Sequence, residues 1–223
     1  MQSPAKPKKR SIAGQKGVIF DMDGVLFPTE ELKFAAYQKV FHDVYGIEIE
    51  ETPKRLGLSE AKVMELFLKK YGKQGGFSKI PELIQKKREA YYTILAKYDL
   101  CPTAGVEDLL KELRNDGGFK IGLATMSNQK SMKLLMERFN LEKYFDSLLS
   151  LECVTKPKPD PEIYLLSAEQ LRVHPEDCVV FEDSPPGVRA AKAAGMRCVV
   201  IATDGDFKRL NAGKIRGFFD NKA

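Results

Sequence analysis

The sequence lacks several features by which whole classes of protein are identified. Its 223 residues contain no apolar run near the ~18 residues of a membrane helix, and no apolar signal segment stands at its start. We therefore expect a cytoplasmic protein that has no membrane partner. The cysteines are few and far apart, which predicts reduced thiols instead of a disulfide framework: Cys101, Cys153, Cys178 and Cys198.

Histidine is equally scarce, and its positions indicate no catalytic arrangement. His42 and His174 are isolated from each other and are expected to be surface or packing residues. No Gly-x-Ser-x-Gly segment occurs, so Ser184 is not expected to be a hydrolase nucleophile. Without convergent His or Cys, a metal site would depend on oxygen ligands, which suit a hard cation.

The net charge of +5 comes from the N-terminal segment. Residues 1–16 carry five cations and no acid, and the remaining 31 basic residues equal the 31 acidic ones. A neutral folded part argues against a nucleic-acid partner. We expect residues 1–16 to form a disordered basic tail, although Pro7-Lys8-Lys9-Arg10 would also suit a nuclear address.

The pattern of apolar residues divides the rest of the chain into two parts. A buried strand is predicted at residues 18–20, and helical patterns fill the next seventy or so residues, with helix starts at Thr29, Thr52-Pro53, Ser59 and Pro81. From Cys101 onward, short helices alternate with predicted strands at 120–124, 147–154, 178–181 and 197–202. Such alternation is typical of a parallel sheet.

These patterns predict an α/β protein with a Rossmann-like parallel sheet core and an inserted all-helical cap domain. The core is assigned to residues 17–28 and 101–223, and the cap to residues 29–100. A helical segment of this length is too long for a single crossover between strands, which is why we interpret it as an insert.

Polar side chains follow four of the predicted strands. They are Asp21 and Asp23, then Thr125, Ser127 and Asn128, then Lys156, and finally Glu182, Asp183 and Ser184. Because parallel strands end at one edge of the sheet, we expect these side chains to converge. Two acidic pairs at one edge would repel each other unless a divalent cation lay between them, so we infer Mg²⁺. With a lysine and a hydroxyl added, the set favours phosphoryl transfer through a carboxylate nucleophile.

Four segments resemble the motifs of the haloacid dehalogenase superfamily. They are Asp21-Met22-Asp23-Gly24-Val25-Leu26, the strand end Leu123-Ala124-Thr125, Lys156-Pro157-Lys158-Pro159-Asp160-Pro161, and the stretch from Val180-Phe181-Glu182-Asp183 to Gly195-Met196. The resemblance covers residues 17 to about 205. It is strongest to the helical-cap branch, which holds phosphoglycolate-phosphatase-like and beta-phosphoglucomutase-like hydrolases.

The resemblance implies a role for each matching residue. Asp21 would be the nucleophile and a Mg²⁺ ligand, and Asp23 the general acid/base, with its backbone carbonyl on the metal. Thr125 and Lys156 would hold the phosphoryl oxygens. Asp183 would ligate Mg²⁺, with Glu182 a less certain further ligand. The second aspartate, which the dehalogenases lack, implies a phosphate enzyme.

The predicted function is a Mg²⁺-dependent phosphatase that hydrolyses a small phosphate monoester through an aspartyl-phosphate. The partner would be a small phosphorylated metabolite, such as a sugar phosphate or phosphoglycolate, and a monomer is expected. A beta-phosphoglucomutase-like sugar phosphomutase is the first alternative, disfavoured because Lys33 and Glu60 stand where the mutases carry His and Arg. A catalytically silent binding protein on the same fold is the second.

Overall fold

The centre of the computed structural model, which describes residues 14–50, 59–202 and 206–220, is a five-stranded sheet. All paired strands are parallel, in the order β3-β2-β1-β4-β5. They are β1 (Lys16–Phe20), β2 (Phe119–Ala124), β3 (Ser147–Leu149), β4 (Cys178–Glu182) and β5 (Arg197–Val200). This sheet confirms the predicted α/β class.

Both faces of the central strand β1 are covered by apolar side chains. Val18 and Phe20 belong to a hydrophobic cluster that continues into the helices between β1 and β2, whereas Ile19 belongs to a second cluster on the other face. Phe20 stacks on Phe181 of β4 with ring centroids 5.0 Å apart. Burial on both faces explains why the apolar run of β1 shows no alternation.

Three helices fill the segment between β1 and β2 that the sequence predicts to be a cap. They are α1 (Glu30–Tyr45), α2 (Glu60–Lys70) and α3 (Ile80–Lys97), with a short 3-10 helix at Gln74–Lys79. The described residues from 30 to 100 contain no strand, which confirms the helical nature of the cap. The domain boundaries at residues 28/29 and 100/101 stay predictions.

The remaining helices pack around the sheet. They are α4 (Val106–Asp116), α5 (Gln129–Arg138), α6 (Glu162–Leu171), α7 (Pro185–Ala193) and α8 (Ala212–Asp220). Short 3-10 helices occur at Glu142–Tyr144, Leu151–Cys153, Pro175–Asp177 and Phe207–Arg209. None of the helices in the described ranges is both long and apolar enough to cross a membrane.

The first strand begins earlier than the sequence predicts, at Lys16, so the assignment of residue 16 to a disordered tail is wrong. The Lys16 N–H donates to the Gly118 carbonyl at 3.1 Å, and its ammonium lies 2.6 Å from Asp177 Oδ1. The strand therefore begins two residues before the predicted start at residue 18. Residues 1–13 of the predicted tail and the predicted helix start at Thr52-Pro53 lie outside the described residues.

Two further expectations are corrected. The strand predicted over residues 147–154 ends at Leu149, and a 3-10 helix at Leu151–Cys153 replaces its second half. Thr29 precedes α1, as predicted, but its hydroxyl does not cap the helix. That hydroxyl instead donates to Asp23 Oδ1 at 2.5 Å. Thr29 therefore orients a carboxylate in the loop after β1 instead of capping α1.

Candidate active site

Asp21 and Asp23 lie in a tight loop that follows β1. The Asp21 N–H continues the sheet by donating to the Phe181 carbonyl at 2.9 Å, and the Gly24 N–H then closes the loop on the Phe27 carbonyl at 2.7 Å. Gly24 has a positive φ of 79°, and a Cβ there would collide with the Asp183 carboxylate. The absence of a side chain at Gly24 therefore lets the Asp21–Gly24 loop approach Asp183 at the end of the neighbouring strand.

A buried lysine joins Asp21 to Glu182. The Lys158 ammonium lies 2.6 Å from Asp21 Oδ1 and 2.7 Å from Glu182 Oε1, and donates to the Ala124 carbonyl at 3.1 Å. The Tyr164 hydroxyl donates to the same Glu182 oxygen at 3.0 Å. An ammonium has three N–H groups, so Lys158 is fully satisfied and its position is fixed.

The sequence prediction that Lys156 belongs to this site is wrong. Its side chain is 72% exposed, and its ammonium lies 3.9 Å from Asp160 Oδ2, away from Asp21. The Glu162 carboxylate accepts the Lys156 backbone N–H at 2.8 Å and holds this part of the chain at the surface. Lys158, two residues later in the same Lys-Pro-Lys-Pro segment, occupies the position expected of Lys156.

Glu182 is placed as a support for Lys158, which corrects its expected role as a metal ligand. Oε1 accepts from Lys158 and Tyr164, and Oε2 accepts from the Ser184 N–H and hydroxyl at 2.8 and 2.9 Å. Both oxygens are thus engaged in a side chain that is only 1% exposed. A Cβ on Gly187 would collide with this carboxylate, so the glycine allows its close packing.

Asp23 is surrounded by donors from the core and from the cap. The hydroxyls of Thr29 and Ser127 each donate to it at 2.5 Å, and the Lys33 ammonium of α1 lies 2.9 Å from its Oδ1. The buried hydroxyl of Thr125 donates at 3.4 Å. Thr125 therefore lies at the site as predicted. The contacts of Lys33 and Thr29 with Asp23 were not predicted from the sequence.

The charges around the site shift its titrating groups in different directions. Burial raises the pKa of Asp21 well above its usual range, and the charges of Glu182 and Asp23 add to this effect against the opposing charge of Lys158. Burial alone would raise the pKa of Asp23, but the charge of Lys33 and the two short hydrogen bonds lower it below its usual value. Asp23 is therefore held in its ionised form in this arrangement.

Asp183 completes the acidic edge of the site. Burial, followed by the charge of Glu182, raises its pKa to about 7. When all four are ionised, the carboxylates of Asp21, Asp23, Asp183 and Glu182 outnumber the ammonium groups of Lys33 and Lys158 that pair with them. No group of three or more acidic, His or Cys side chains close enough to hold a metal occurs within the described ranges. A cation here would thus need a backbone oxygen in addition to carboxylates.

A cavity of about 650 Å³ opens onto these residues. Asp21, Asp23 and Asp183 line it from the core. The cap contributes a second set of lining residues, with Lys33, Glu60, Lys87, Arg88 and Tyr91 among them. The volume suits a ligand of small-metabolite size that is enclosed between core and cap.

Comparisons with known proteins agree with this geometry. The model of the haloacid dehalogenase-like hydrolase family matches residues 18–201. The chain is 35% identical over 200 residues to a phosphorylated carbohydrates phosphatase of Thermotoga maritima, which covers 89% of this chain and 88% of that protein. It is 32% identical over 194 residues to the beta-phosphoglucomutase of Bacillus subtilis, with 83% of each covered.

Solved structures share the fold as well. The crystal structure of CbbY from Rhodobacter sphaeroides in complex with phosphate superposes with a TM-score of 0.71 at 27% identity, covering 83% of this chain and 85% of that one. The family match over residues 18–201 spans the helical segment and all or part of each of the five strands. The chain therefore belongs to the haloacid dehalogenase-like hydrolase family.

Proposed function

We propose that the protein is a Mg²⁺-dependent phosphatase that hydrolyses phosphate monoesters of small carbohydrates through an aspartyl-phosphate on Asp21. The observation that carries this proposal is the contact between Asp21 and Lys158 at the end of the central strand, with Asp23 two residues away. A fixed ammonium beside a buried carboxylate suits the transfer of a dianionic phosphoryl group. Similarity to a carbohydrate phosphatase supports the choice of substrate class.

The donor set fits Mg²⁺. The carboxylates of Asp21 and Asp183 and the backbone carbonyl of Asp23 would hold the ion, since the Asp23 side chain is engaged by Lys33, Thr29 and Ser127. The excess of carboxylates at this edge of the sheet favours the binding of a divalent cation. When bound, the ion would neutralise phosphoryl oxygens and orient them towards Asp21.

The side chains then divide the chemistry between two steps. An oxygen of Asp21 attacks phosphorus, and the bond from phosphorus to the ester oxygen breaks. Asp23 is ionised in the free protein, so it must take up a proton when the ester binds in order to give one to the leaving oxygen. Ionised Asp23 next removes a proton from water, which attacks phosphorus and releases inorganic phosphate and free Asp21. Lys158 and the Thr125 hydroxyl would hold the phosphoryl oxygens in both steps.

A sugar phosphomutase is the second candidate, favoured by the similarity to beta-phosphoglucomutase. In a mutase the phosphoenzyme must survive until a sugar hydroxyl attacks it. Here the Lys33 ammonium lies on Asp23 and stabilises the ionised form that activates water. We therefore favour hydrolysis over transfer to a second hydroxyl.

Phosphate release separates these candidates. The purified protein with Mg²⁺ should release phosphate from p-nitrophenyl phosphate, and an excess of EDTA should stop the reaction. Glucose 1-phosphate, if it reacts, should give inorganic phosphate, as followed by phosphorus NMR in the presence of a bisphosphate primer. Dominant formation of glucose 6-phosphate would establish the mutase, and no turnover of any ester would favour a silent binding protein. The cytoplasmic location and the monomeric state stay predictions.

A further inference from the structure

Tyr164 contacts two residues of the charged core of the site, yet the proposed chemistry gives it no part. Its hydroxyl donates to Glu182 Oε1 at 3.0 Å. The centroid of its ring lies 4.7 Å from the ammonium nitrogen of Lys158, within the range of a cation–π contact. Tyr164 is fully buried, so water does not compete for either contact.

The first turn of α6 places Tyr164 at the site. Its N–H donates to the Pro161 carbonyl at 3.0 Å, which fixes the residue at the start of the helix. Helical side chains lean towards the N-terminus of their helix, so the ring extends back towards the segment that carries Lys158. The Glu162 carboxylate holds that segment by accepting the Lys156 N–H at 2.8 Å. Hydrogen bonds therefore fix the chain on both sides of Lys158.

The hydroxyl of Tyr164 influences how strongly Glu182 attracts Lys158. Glu182 Oε1 accepts from the Lys158 ammonium at 2.7 Å and from the Tyr164 hydroxyl at 3.0 Å, so two donors share this oxygen. The positive end of the O–H dipole points at the oxygen and offsets part of its negative charge. The attraction between Glu182 and the ammonium is therefore weaker than it would be without the hydroxyl.

This balance affects how the ammonium can serve the phosphoryl group. Its three N–H groups are used by Glu182, by Asp21 at 2.6 Å and by the Ala124 carbonyl at 3.1 Å. When a phosphoryl group arrives, one N–H has to turn from Asp21 to a phosphoryl oxygen. An ammonium that Glu182 attracted more strongly would turn less readily, and its charge would stabilise the transition state less.

We propose that Tyr164 is a positioning residue, whose hydroxyl shares Glu182 with Lys158 and thereby leaves the ammonium able to turn to the phosphoryl group. This inference rests on the proposed phosphatase function and deepens it. In this role Tyr164 touches no atom of the substrate and acts through Lys158 alone. The inference therefore predicts that the effect of the hydroxyl depends on the presence of the lysine.

The substitution Tyr164→Phe tests the hydroxyl, because phenylalanine keeps the ring beside Lys158 and removes only the O–H group. With Mg²⁺ and p-nitrophenyl phosphate, we expect kcat to fall about 10-fold. The inhibition constant of vanadate, which mimics the transferring phosphoryl group, should rise about 10-fold. Partial unfolding would lower kcat but not change this constant, which reports only on folded protein. An unchanged vanadate constant would therefore overturn the inference.

Tyr45→Phe is the matched control. The Tyr45 hydroxyl is also buried, but it lies at the end of α1 and has no hydrogen-bond partner in the described part of the chain. Its removal should change kcat and the vanadate constant by less than about 2-fold. Changes of the same size in Tyr45→Phe and Tyr164→Phe would overturn the inference.

A combination with Lys158→Met shows whether Tyr164 acts through the lysine. Methionine has no ammonium to position, so adding Tyr164→Phe to Lys158→Met should lower kcat by less than about a further 2-fold. A further loss of about 10-fold in that background would show an independent effect and would overturn the inference.

The proposed function is tested separately from this role. A wild-type protein that releases phosphate from p-nitrophenyl phosphate, together with a Tyr164→Phe variant that matches it in kcat and in the vanadate constant, overturns the inference and leaves the proposed function intact. Failure of the wild-type protein to release phosphate overturns the proposed function itself.

Discussion

The Lys158 ammonium lies 2.6 Å from Oδ1 of Asp21, inside a site where both side chains are almost fully buried. Burial alone would lower the pKa of Lys158, but the charge of Asp21, with that of Glu182 added, raises it well above its usual value and keeps the lysine protonated. This contact places a permanent positive charge beside the carboxylate proposed to attack phosphorus. The ammonium can therefore pass from the free carboxylate to the incoming phosphoryl oxygens without moving far.

The two lysines of the Lys-Pro-Lys-Pro segment give a matched test. Lys158→Met should lower kcat/KM by about 10²-fold or more, because a positive charge is lost next to the phosphoryl group. Lys156→Met should change kcat/KM by less than about 2-fold, because the Lys156 side chain is exposed. Both are measured with p-nitrophenyl phosphate. Equal losses in the two variants would contradict the assignment to Lys158.

This pair also shows where sequence reasoning ends. Motif order located the segment correctly, but both lysines fit the motif, and only the fold shows which one is turned towards Asp21. The same limit applies to Glu182 and Asp183, whose side chains point in different directions because they are adjacent at a strand end. The alternation of side chains along a strand was the available signal. It would have assigned Glu182, which contacts Lys158, and Asp183, the candidate metal ligand, to opposite sides of the sheet.

Gly187 should tolerate no side chain. Gly187→Ala would push a methyl group into the Glu182 carboxylate and disturb its contact with Lys158. We expect a loss of about 1–3 kcal/mol in the free energy of unfolding, measured by urea denaturation, together with lower kcat. Gly217→Ala, in α8 with open space around it, should instead stabilise by about 0.5–1 kcal/mol. Equal stability of the two variants would refute the packing argument.

Lys33 should set the acid limb of the pH profile. Its charge lowers the pKa of Asp23, so Lys33→Gln should raise that pKa, and the ionised base should then be lost at a higher pH. We expect the acid limb of kcat to move up by about one pH unit. Lys39→Gln, on the exposed face of the same helix, is the control. If the acid limb of the kcat profile does not move in Lys33→Gln, the ionisation of Asp23 does not limit turnover at low pH.

Asp183 should couple pH to stability and to metal binding. Its pKa is about 7 in the folded protein and near 4 when unfolded, so the folded state binds more protons between these values. The metal-free protein should therefore lose stability as pH rises from 4 to 7, whereas Asp183→Asn should lack this contribution. Between pH 5 and pH 8, the free energy of unfolding of the wild-type protein should fall by on the order of 2 kcal/mol more than that of Asp183→Asn.

Urea denaturation in EDTA measures this difference, and thermal unfolding with added Mg²⁺ supplies the companion result. Mg²⁺ should raise the Tm of the wild-type protein at pH 8 and leave that of Asp183→Asn nearly unchanged. Stabilisation of both proteins to the same extent would place the ion elsewhere.

Much of the fold followed from local patterns. Apolar runs located the strands, and helical spacing located α1, α2 and α3, because these elements bury continuous apolar faces. The start of β1 at Lys16 depends on a neighbouring strand, and the Thr29 hydroxyl is recruited by Asp23 instead of by its own helix. Contacts between residues distant in sequence decide such details. Lys33 was noted as a departure from a mutase pattern, yet its contact with Asp23 appears only in the folded chain.

The proposed mechanism depends above all on a covalent phosphoryl group on Asp21. We predict that acid quenching during turnover of a sugar phosphate, followed by mass spectrometry of peptides, will find one phosphoryl group on Asp21, labile to hydroxylamine. Asp21→Asn should show no such group and should lose more than ~10³-fold in kcat. A protein that hydrolyses the ester with no phosphoryl group on Asp21, or with one on another residue, would contradict the mechanism.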